Sequence, residues 1–312
     1  MRVLVVGYGS IGARHARLAA EMGHDVACVT ANGACPHPVV PDVASAVAKL
    51  RPGLVVVANR TADHLETLQH LAGAGYAGAV LVEKPVFAAM PETLPELAGP
   101  VFVGYNFRLH PVLGRARAAV AGRDVLAARF HVGQYLPDWR PGTDYRACYS
   151  ASRAQGGGVL RDLSHELDAA LWLLGPWRRV TALGGHVSGL ETDADDCFQL
   201  LVEAERCPAV SIHVDCLRSP ARRGFDLVGE GFAVRGDLIQ GELETGDEVH
   251  RFDCGRDDTY RAQLAAALRA ADGGDPGVLC TLDEALDTLR LIEAAERAAQ
   301  LVDDGGCWEA RP

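Results

Sequence analysis

The chain has 312 residues, of which 48% are hydrophobic and 23% charged, a composition typical of a globular protein long enough for two domains. Its formal net charge of −11 argues against nucleic-acid binding, because that function needs a basic face. No apolar run approaches the roughly 18 residues of a membrane span, and the N-terminus lacks the pattern of a secretory signal.

The cysteines indicate a reduced protein. There are nine of them, an odd number, scattered along the chain without a C-x-x-C pair. Neither a disulfide framework nor a zinc site is predicted, and we expect no bound metal. Because free thiols persist in reducing compartments, the expected location is the cytoplasm.

The N-terminal segment combines an apolar strand with a glycine-rich turn. Residues 3–6 lead into Gly7-Tyr8-Gly9-Ser10-Ile11-Gly12, and apolar residues at helical spacing follow. In such a turn the first glycine permits the bend, the second lets the backbone approach a phosphate, and the third lets the helix pack on the strand. The N–H groups at the helix N-terminus favour a pyrophosphate. The segment predicts a Rossmann-type binder of a nicotinamide or flavin dinucleotide.

The rest of the first third alternates strand-like and helix-like segments. Further apolar runs occupy residues 26–29, 54–58, 79–82 and 101–103. Residues 63–74 place leucines at helical spacing, with Thr61 as the predicted N-cap. Strands that alternate with helices predict a doubly wound parallel sheet.

The pattern changes after Pro111. Helices are predicted over residues 112–121, 158–174 and 282–301. Strands are predicted over residues 125–135, 180–187, 196–204, 208–217 and 224–241. Val210, Ile212 and Val214 alternate with Ser211, His213 and Asp215, which is the period of a half-buried antiparallel strand.

These segments predict an α/β fold of two domains. Residues 1–113 form an N-terminal Rossmann domain with a doubly wound parallel sheet. Residues 114–312 form an α+β domain with a large open antiparallel sheet. The second domain is expected to bind the substrate and to form the oligomer, with its last helix packing back toward the first domain.

Two motifs carry candidate catalytic groups. Lys84 follows the fourth apolar run in Glu83-Lys84-Pro85, and ligands of open α/β sheets bind at the carboxyl ends of strands, so we expect Lys84 to face the cofactor. A solvated surface lysine is the alternative. Asp162, His165 and Glu166 follow three glycines at i, i+3 and i+4, and are expected to share a helix face. A histidine beside a carboxylate can relay protons, although a capped helix with a structural histidine has the same pattern.

Residues 135–140, together with residues 144–146, read as a binding loop, because they are too polar and too rich in proline for a core. Tyr149 belongs to an aromatic cluster there that is either core or a substrate platform. The candidate substrate-binding residues are Tyr135, Trp139, Arg140, Tyr145, Arg146 and, in the following helix, Asp168.

Taken together, these motifs resemble the Gfo/Idh/MocA family of glucose–fructose oxidoreductase, inositol dehydrogenase and their relatives. The resemblance covers nearly the whole chain. It rests on the glycine turn, Asn59-Arg60-Thr61 to His64, Glu83-Lys84-Pro85, Gly104-Tyr105-Asn106-Phe107-Arg108, and the helix with Asp162 and His165. The pairing of Glu-Lys-Pro with that helix is its most specific part.

The resemblance implies roles for particular residues. Lys84 and His165 would act around a sugar or cyclitol hydroxyl, with Asp162 as a third catalytic candidate, and the Lys84–Pro85 bond would be cis. A homodimer or homotetramer would form through the outer face of the second sheet. The implied cofactor-binding residues are Gly7, Tyr8, Gly9, Ser10, Ile11, Gly12, Thr30, Asn59, Arg60, His64, Glu83, Lys84 and Asn106.

The chain departs from the family at two places. Many members place the aspartate and histidine four residues apart, whereas Asp162 and His165 are three apart, so both cannot occupy the family positions in unchanged geometry. The second strand ends at Thr30 and Asn32 without the usual acidic residue that binds the ribose and repels a 2′-phosphate. With Arg14 nearby, NAD and NADP are both admissible cofactors.

The resemblance therefore implies an NAD(P)-dependent oxidoreductase. Its substrate would be a sugar, a sugar derivative (nucleotide-linked sugars included) or a cyclitol, with hydride transfer between the cofactor and a hydroxyl or ketone carbon. One alternative is a hydrolase or epimerase that recycles its cofactor. A second is a catalytically silent cofactor-binding sensor, against which the retention of Lys84 and His165 argues.

Overall fold

The computed structural model describes residues 1–303. It divides into two compact units, of which the first comprises Met1–Leu109 and Gly255–Leu286 and the second His110–Cys254 and the segment from Asp287. The first unit is thus built from two segments, whereas the sequence predicts a single boundary at residue 113. Residues 304–312 of the predicted second domain, with Cys307, lie outside the described residues.

The helices and strands have the following bounds. The strands are β1 (Arg2–Val6), β2 (Asp25–Val29), β3 (Leu54–Val57), β4 (Ala79–Val82), β5 (Val101–Val103), β6 (Ala127–Gly133), β7 (Trp177–Gly185), β8 (Cys197–Ala204), β9 (Cys207–Asp215), β10 (Arg222–Gly229), β11 (Phe232–Asp237), β12 (Glu242–Thr245), β13 (Glu248–Arg251) and β14 (Cys280–Thr281). The helices are α1 (Ser10–Glu21), α2 (Val43–Leu50), α3 (His64–Gly73), α4 (Pro111–Ala119), α5 (Val159–Asp162), α6 (His165–Leu174), α7 (Asp258–Ala271) and α8 (Leu282–Asp303). No helix among the described residues is long and apolar enough to span a membrane.

The first unit contains the predicted parallel sheet. Its strand order is β14-β5-β4-β3-β1-β2, and all neighbours are parallel except β14, which pairs antiparallel with β5. Strands β3 and β4 are buried along their whole length, as expected for a sheet covered on both faces. Leu264, Ala267 and Leu268 of α7 belong to the same apolar core as Val3 and Val56, which explains why the segment 255–286 belongs to this unit.

One predicted helix start in this unit is wrong. Thr61 begins a short 3-10 turn over Thr61–Asp63, and α3 begins only at His64, without a capping side chain. A threonine before a leucine repeat has the pattern of an N-cap, but the tighter turn intervenes. The shift matters for the site because it places His64 in the first turn of α3.

The second unit is built on an eight-stranded sheet, as predicted. Its order is β13-β12-β11-β10-β6-β9-β8-β7, and every pair is antiparallel except β6 with β9. Val210, Ile212 and Val214 are buried as their alternation predicts, but Asp215 is buried as well, because backbone N–H groups of Leu217 and Arg218 donate to its carboxylate at 2.9 Å. The strand predicted over 224–241 is two strands, β10 and β11.

The helix predicted over residues 158–174 is interrupted. It consists of α5 and α6, separated by Leu163 and Ser164. The hydroxyl of Ser164 donates to the carbonyl of Arg161 at 3.0 Å, a local bond of the kind that competes with helix continuation. Asp162 and His165 therefore lie on different helices, and the i, i+3 argument for a shared helix face is wrong.

The glycine turn before α5 yields a stability prediction. Gly158 has φ +119°, and a Cβ there would lie 2.2 Å from Oδ1 of Asp195, whereas Gly156 has φ +83° and open space. We expect Gly158→Ala to destabilise the protein by about 2 kcal/mol or more and Gly156→Ala by about 1 kcal/mol. Urea unfolding followed by circular dichroism measures both, and equal effects would contradict the packing argument.

Candidate functional site

The predicted cofactor-binding residues lie along one edge of the first sheet. The glycine turn follows β1, Thr30 follows β2, Asn59 and Arg60 follow β3, Glu83 and Lys84 follow β4, and Asn106 follows β5. Because these strands are parallel, all of these segments leave from the same carboxyl edge, where open α/β sheets bind ligands.

The glycine turn has the shape that a pyrophosphate needs. Gly7 has φ +93°, and a Cβ there would lie 2.5 Å from the backbone nitrogen of Asn59. A Cβ on Gly12 would lie 2.1 Å from the carbonyl oxygen of Gly7, whereas a Cβ on Gly9 would meet nothing within 4 Å. Gly9 also precedes α1 without a capping side chain, so the helix N-terminus can accept an anion. The residues present fit a dinucleotide.

The end of β2 is neutral and internally bonded. Asn32 donates its side-chain amide to the carbonyl of Tyr8 at 2.9 Å, and the N–H of Asn32 donates to the hydroxyl of Thr30 at 3.0 Å. Arg14, the cation expected near a 2′-phosphate, lies 3.0 Å from a carboxylate oxygen of Asp257 and 4.9 Å from the ring centre of Tyr260. Arg14 is therefore ion-paired within this unit, to a carboxylate that it shares with Arg17.

The Glu83-Lys84-Pro85 segment is fixed by buried contacts. Oε1 of Glu83 lies 2.7 Å from Nε2 of His15, and Oε2 accepts the backbone N–H of Lys84 at 3.3 Å. The Lys84–Pro85 peptide bond is cis, which confirms the prediction. Lys84 itself is half-buried at the carboxyl end of β4.

Three of the predicted cofactor ligands are engaged by the protein. His64 is buried, with Nδ1 3.1 Å from the carbonyl oxygen of Val86 and Nε2 3.3 Å from that of Asn59. Asn106 is buried and donates to the hydroxyl of Thr259 at 2.8 Å. Asn59 donates to the hydroxyl of Thr67 at 2.9 Å. Burial lowers the pKa of His64, so its imidazole is neutral at pH 7.

The second unit carries acidic, imidazole and phenol groups within one short segment of the chain. Asp162, His165 and Asp168 are all buried, although the helix is broken between the first two. The hydroxyl of Tyr149 is hydrogen-bonded to Asp162. Although Tyr149 is 41% exposed as a whole, desolvation of its hydroxyl together with this negative charge raises the pKa of Tyr149. The guanidinium of Arg140 lies 5.1 Å from the ring centre of Tyr149. Tyr149 thus joins the candidate group, to which the sequence assigned it only as one of several aromatics.

The predicted binding loop is tied to the loop around residue 191. Arg146 pairs with Asp144 at 2.9 Å and with Glu191 at 2.8 Å, and the hydroxyl of Tyr145 accepts the N–H of Glu191 at 3.1 Å. Trp139 donates its indole N–H to the carbonyl of Gln134 at 2.8 Å, and Tyr135 is exposed. These rings and charges line a surface loop, where their contact with a substrate stays a prediction.

Sequence reasoning missed Asp195. This buried carboxylate accepts the N–H of Leu160 at 3.2 Å, and its own carbonyl accepts the N–H of Val159 at 3.1 Å. Asp195 therefore binds the first turn of α5 from a distant strand connection, and burial raises its pKa. In the sequence, the only sign of this role is the acidic segment 193–196, which contains three aspartates.

Comparisons with known proteins identify the family. An oxidoreductase family described by its NAD-binding Rossmann fold matches residues 1–98, and the GFO/IDH/MocA C-terminal domain matches residues 120–235. The chain belongs to the Gfo/Idh/MocA family. It is therefore a member of an oxidoreductase family with an NAD-binding domain, as the motifs indicated. No curated protein sequence is significantly similar to it.

Solved structures share the fold over 96–100% of the chain. GenD2 from gentamicin A biosynthesis, in complex with NAD, is 25% identical, with 100% of this chain and 97% of that chain covered and a TM-score of 0.78. Levoglucosan dehydrogenase with NADH and levoglucosan is 16% identical, with coverages of 96% and 97% and a TM-score of 0.81. WlbA dehydrogenase from Bordetella pertussis, with NADH and UDP-GlcNAcA, is 20% identical, with coverages of 98% and 96% and a TM-score of 0.80.

The glycine turn of this Gfo/Idh/MocA chain can be tested directly. We expect Gly9→Val to weaken NADH binding by roughly tenfold or more, because the side chain would occupy the open space beside the helix N-terminus. Fluorescence titration with NADH measures the affinity. Gly73→Val, at the end of α3 and also in open space, is the control. Unchanged affinity in Gly9→Val would contradict the assignment of this turn.

Proposed function

We propose that the protein transfers a hydride between NAD(H) and a hydroxyl or ketone carbon of a sugar, a sugar derivative or a cyclitol. Membership of the oxidoreductase family supports hydride transfer. The neighbour that shares 25% identity belongs to gentamicin A biosynthesis and binds NAD, which supports this cofactor. The end of β2 carries no acidic residue to repel a 2′-phosphate, so NADP is tested beside NAD.

The observation that carries the proposal is the identity of residue 84. Among the 30 lysine and arginine residues of the chain, only Lys49 and Lys84 are lysines. An ammonium is a compact charge that can also lose its proton, whereas a guanidinium stays charged. Arginine is used at 28 of these 30 basic positions, yet the residue at the carboxyl end of β4 is a lysine. This choice supports a chemical role for Lys84. We assign Lys84 to the stabilisation of negative charge on the substrate oxygen.

We assign proton transfer to His165. It lies at the start of α6, close in sequence to Asp162 and Asp168, and all three are buried. An imidazole can both accept and donate a proton through its ring nitrogens, which suits exchange of the hydroxyl proton in both directions. A nicotinamide dinucleotide held at the glycine turn would supply the hydride acceptor or donor, and His165 would hold or release the hydroxyl proton. Asp162 is assigned a supporting role, because Tyr149 already binds its carboxylate.

The experiment that tests the proposal is a substrate panel. Levoglucosan, nucleotide-linked uronic acids and hexosamines, free hexoses and cyclitols are incubated with the protein and with NAD or NADP, and formation of reduced cofactor is followed at 340 nm. Thermal shift identifies ligands that bind without turnover, since binding raises the melting temperature. Stoichiometric NADH formation supports the proposal. Substrate conversion without net NADH would instead indicate a hydrolase or epimerase that recycles its cofactor, and binding of NADH without any turnover would indicate a sensor.

We further propose a homodimer or homotetramer formed through the second sheet. Leu201 on β8, Leu183 on β7 and Val228 on β10 are 60%, 50% and 43% exposed, and their neighbours in sequence point to the buried face. Exposed apolar side chains on an open sheet face favour association. Light scattering at micromolar concentration is expected to show an oligomer, and Leu201→Glu to shift it toward the monomer; a monomeric wild type would contradict the proposal. The cytoplasmic location stays a prediction.

A further inference from the structure

The segment around Lys84 is held on both sides by buried side chains of the first unit. Glu83 on one side is 8% exposed, and Pro85, Val86 and Phe87 on the other side are buried. Lys84 is the half-buried residue between them. The proposed function places an ammonium on a developing negative charge, and the strength of that interaction depends on where the backbone of residue 84 is held.

On the N-terminal side the holding group is the carboxylate of Glu83. Its two oxygens do different things, because Oε1 lies 2.7 Å from Nε2 of His15 while Oε2 accepts the N–H of Lys84 at 3.3 Å. A Cβ on Gly104, the residue after β5, would lie 2.9 Å from Oε2. Only a glycine at position 104 therefore leaves room for the carboxylate of Glu83. The carboxylate thus links α1 to the backbone of Lys84.

The proton of His15 can be placed by counting partners. His15 is fully buried, and no described group lies within hydrogen-bond distance of its Nδ1. A carboxylate can only accept, so Nε2 carries a proton and donates to Glu83. Beside this pair lie the ring of Tyr260, edge-on to His15 at 5.8 Å, and Arg14, which lies over that ring and pairs with Asp257. The carboxylate of Glu83 therefore has a fixed donor in His15.

On the C-terminal side the holding group is His64. Its Nδ1 lies 3.1 Å from the carbonyl oxygen of Val86, and its Nε2 lies 3.3 Å from that of Asn59. A neutral imidazole has a single N–H, and the shorter distance assigns it to Val86. The negative charge of Glu83 also acts on His64.

We propose that Glu83, His15 and His64 are positioning residues for Lys84, and that Glu83 is not a ligand of the cofactor. Glu83 and His15 hold the backbone N–H of Lys84, and His64 holds the carbonyl two residues further on. This inference rests on the proposed role of Lys84. It changes the role that the family resemblance implied for Glu83 and His64, because their polar atoms already have partners inside the first unit.

The test compares isosteric and donor-keeping variants. Glu83→Gln removes the charge, His15→Leu and His64→Leu remove the donors, and His15→Gln and His64→Asn keep an N–H that can reach the same acceptors. His70→Leu, on the exposed face of α3, is the control. Thermal unfolding verifies that each variant is folded. His15→Gln and His64→Asn are expected to retain activity within about threefold. Each keeps one hydrogen bond, to the carboxylate of Glu83 or to the carbonyl of Val86.

Three measurements separate positioning from cofactor binding. For Glu83→Gln and the leucine variants we expect kcat to fall roughly tenfold or more, while the KM for substrate and the Kd for NADH stay within about twofold, since only the transition state uses the oriented ammonium. The third measurement is competitive labelling of the two lysine amines by a dilute acylating reagent, read by mass spectrometry. Lys49 serves as the internal standard, and the relative reactivity of Lys84 should rise at least about threefold when its segment is released.

The outcomes are distinguishable. A large increase in the Kd for NADH in Glu83→Gln with unchanged kcat would overturn the proposal and make Glu83 a cofactor ligand. Unchanged kcat and unchanged Lys84 reactivity in all leucine variants would overturn it as well. If the wild type transfers hydride to no substrate, the proposed function fails, but the labelling ratio still decides whether these residues hold Lys84.

Discussion

His165→Asn should lower kcat by roughly 10²–10⁴, with the affinity for NADH within about twofold of the wild type. Asparagine occupies a similar volume and keeps a hydrogen-bonding side chain, but it cannot exchange a proton near neutral pH. Residue 165 lies in the second unit and the glycine turn in the first, so the substitution leaves the dinucleotide-binding residues unchanged. Single-turnover hydride transfer on the identified substrate, followed by stopped-flow absorbance, measures the loss.

Asp162→Asn and Tyr149→Phe serve as companions to this substitution. Both are expected to cost less than His165→Asn, because the carboxylate and the phenol are hydrogen-bonded to one another and support the site through that bond. His70→Asn, exposed on α3, should leave all rates unchanged. If His165→Asn kept a near-normal rate while Asp162→Asn was inactive, proton transfer would belong to Asp162. If both remained active, Tyr149 would be the next candidate.

The sequence predicted those features that depend on residues close together in the chain. The strands before Gly7, Thr30, Asn59 and Glu83 were found because continuous apolar runs end in polar residues at regular intervals. The cis bond before Pro85 followed from the family resemblance. The alternation of Val210, Ile212 and Val214 correctly identified the buried face of β9. Local periodicity is sufficient for such features.

The features that sequence reasoning missed depend on contacts between distant residues. His15 and Glu83 are 68 positions apart, and Asp195 reaches Leu160 across 35 positions, so neither pair leaves a local pattern. The break at Ser164 depends on one side-chain hydrogen bond that competes with the helix. The segment that contains α7 belongs to the first unit because of apolar packing, for which the sequence has no local motif. Pairings of this kind are visible only once the fold is known.

Lys84→Met should lower kcat by roughly 10²–10³, a loss typical for removal of one group that stabilises an oxyanion in the transition state. Methionine matches most of the lysine stem, so the packing of the half-buried side chain changes little while the charge disappears. Because the charge on oxygen develops only during the reaction, we expect the Kd for NADH to stay within about threefold, with most of the loss in kcat and less in KM.

Lys84→Arg separates charge from shape. If a positive charge alone were sufficient, arginine would restore most of the rate. Arginine already supplies 28 of the 30 basic side chains of this chain. We expect the arginine variant instead to remain at least about tenfold below the wild type, because a planar guanidinium cannot occupy the position of a compact ammonium. Lys49→Met removes the other lysine, which is exposed on α2, and should leave kcat unchanged. Full activity in Lys84→Met would contradict the assignment of Lys84 to the negative charge on the substrate oxygen.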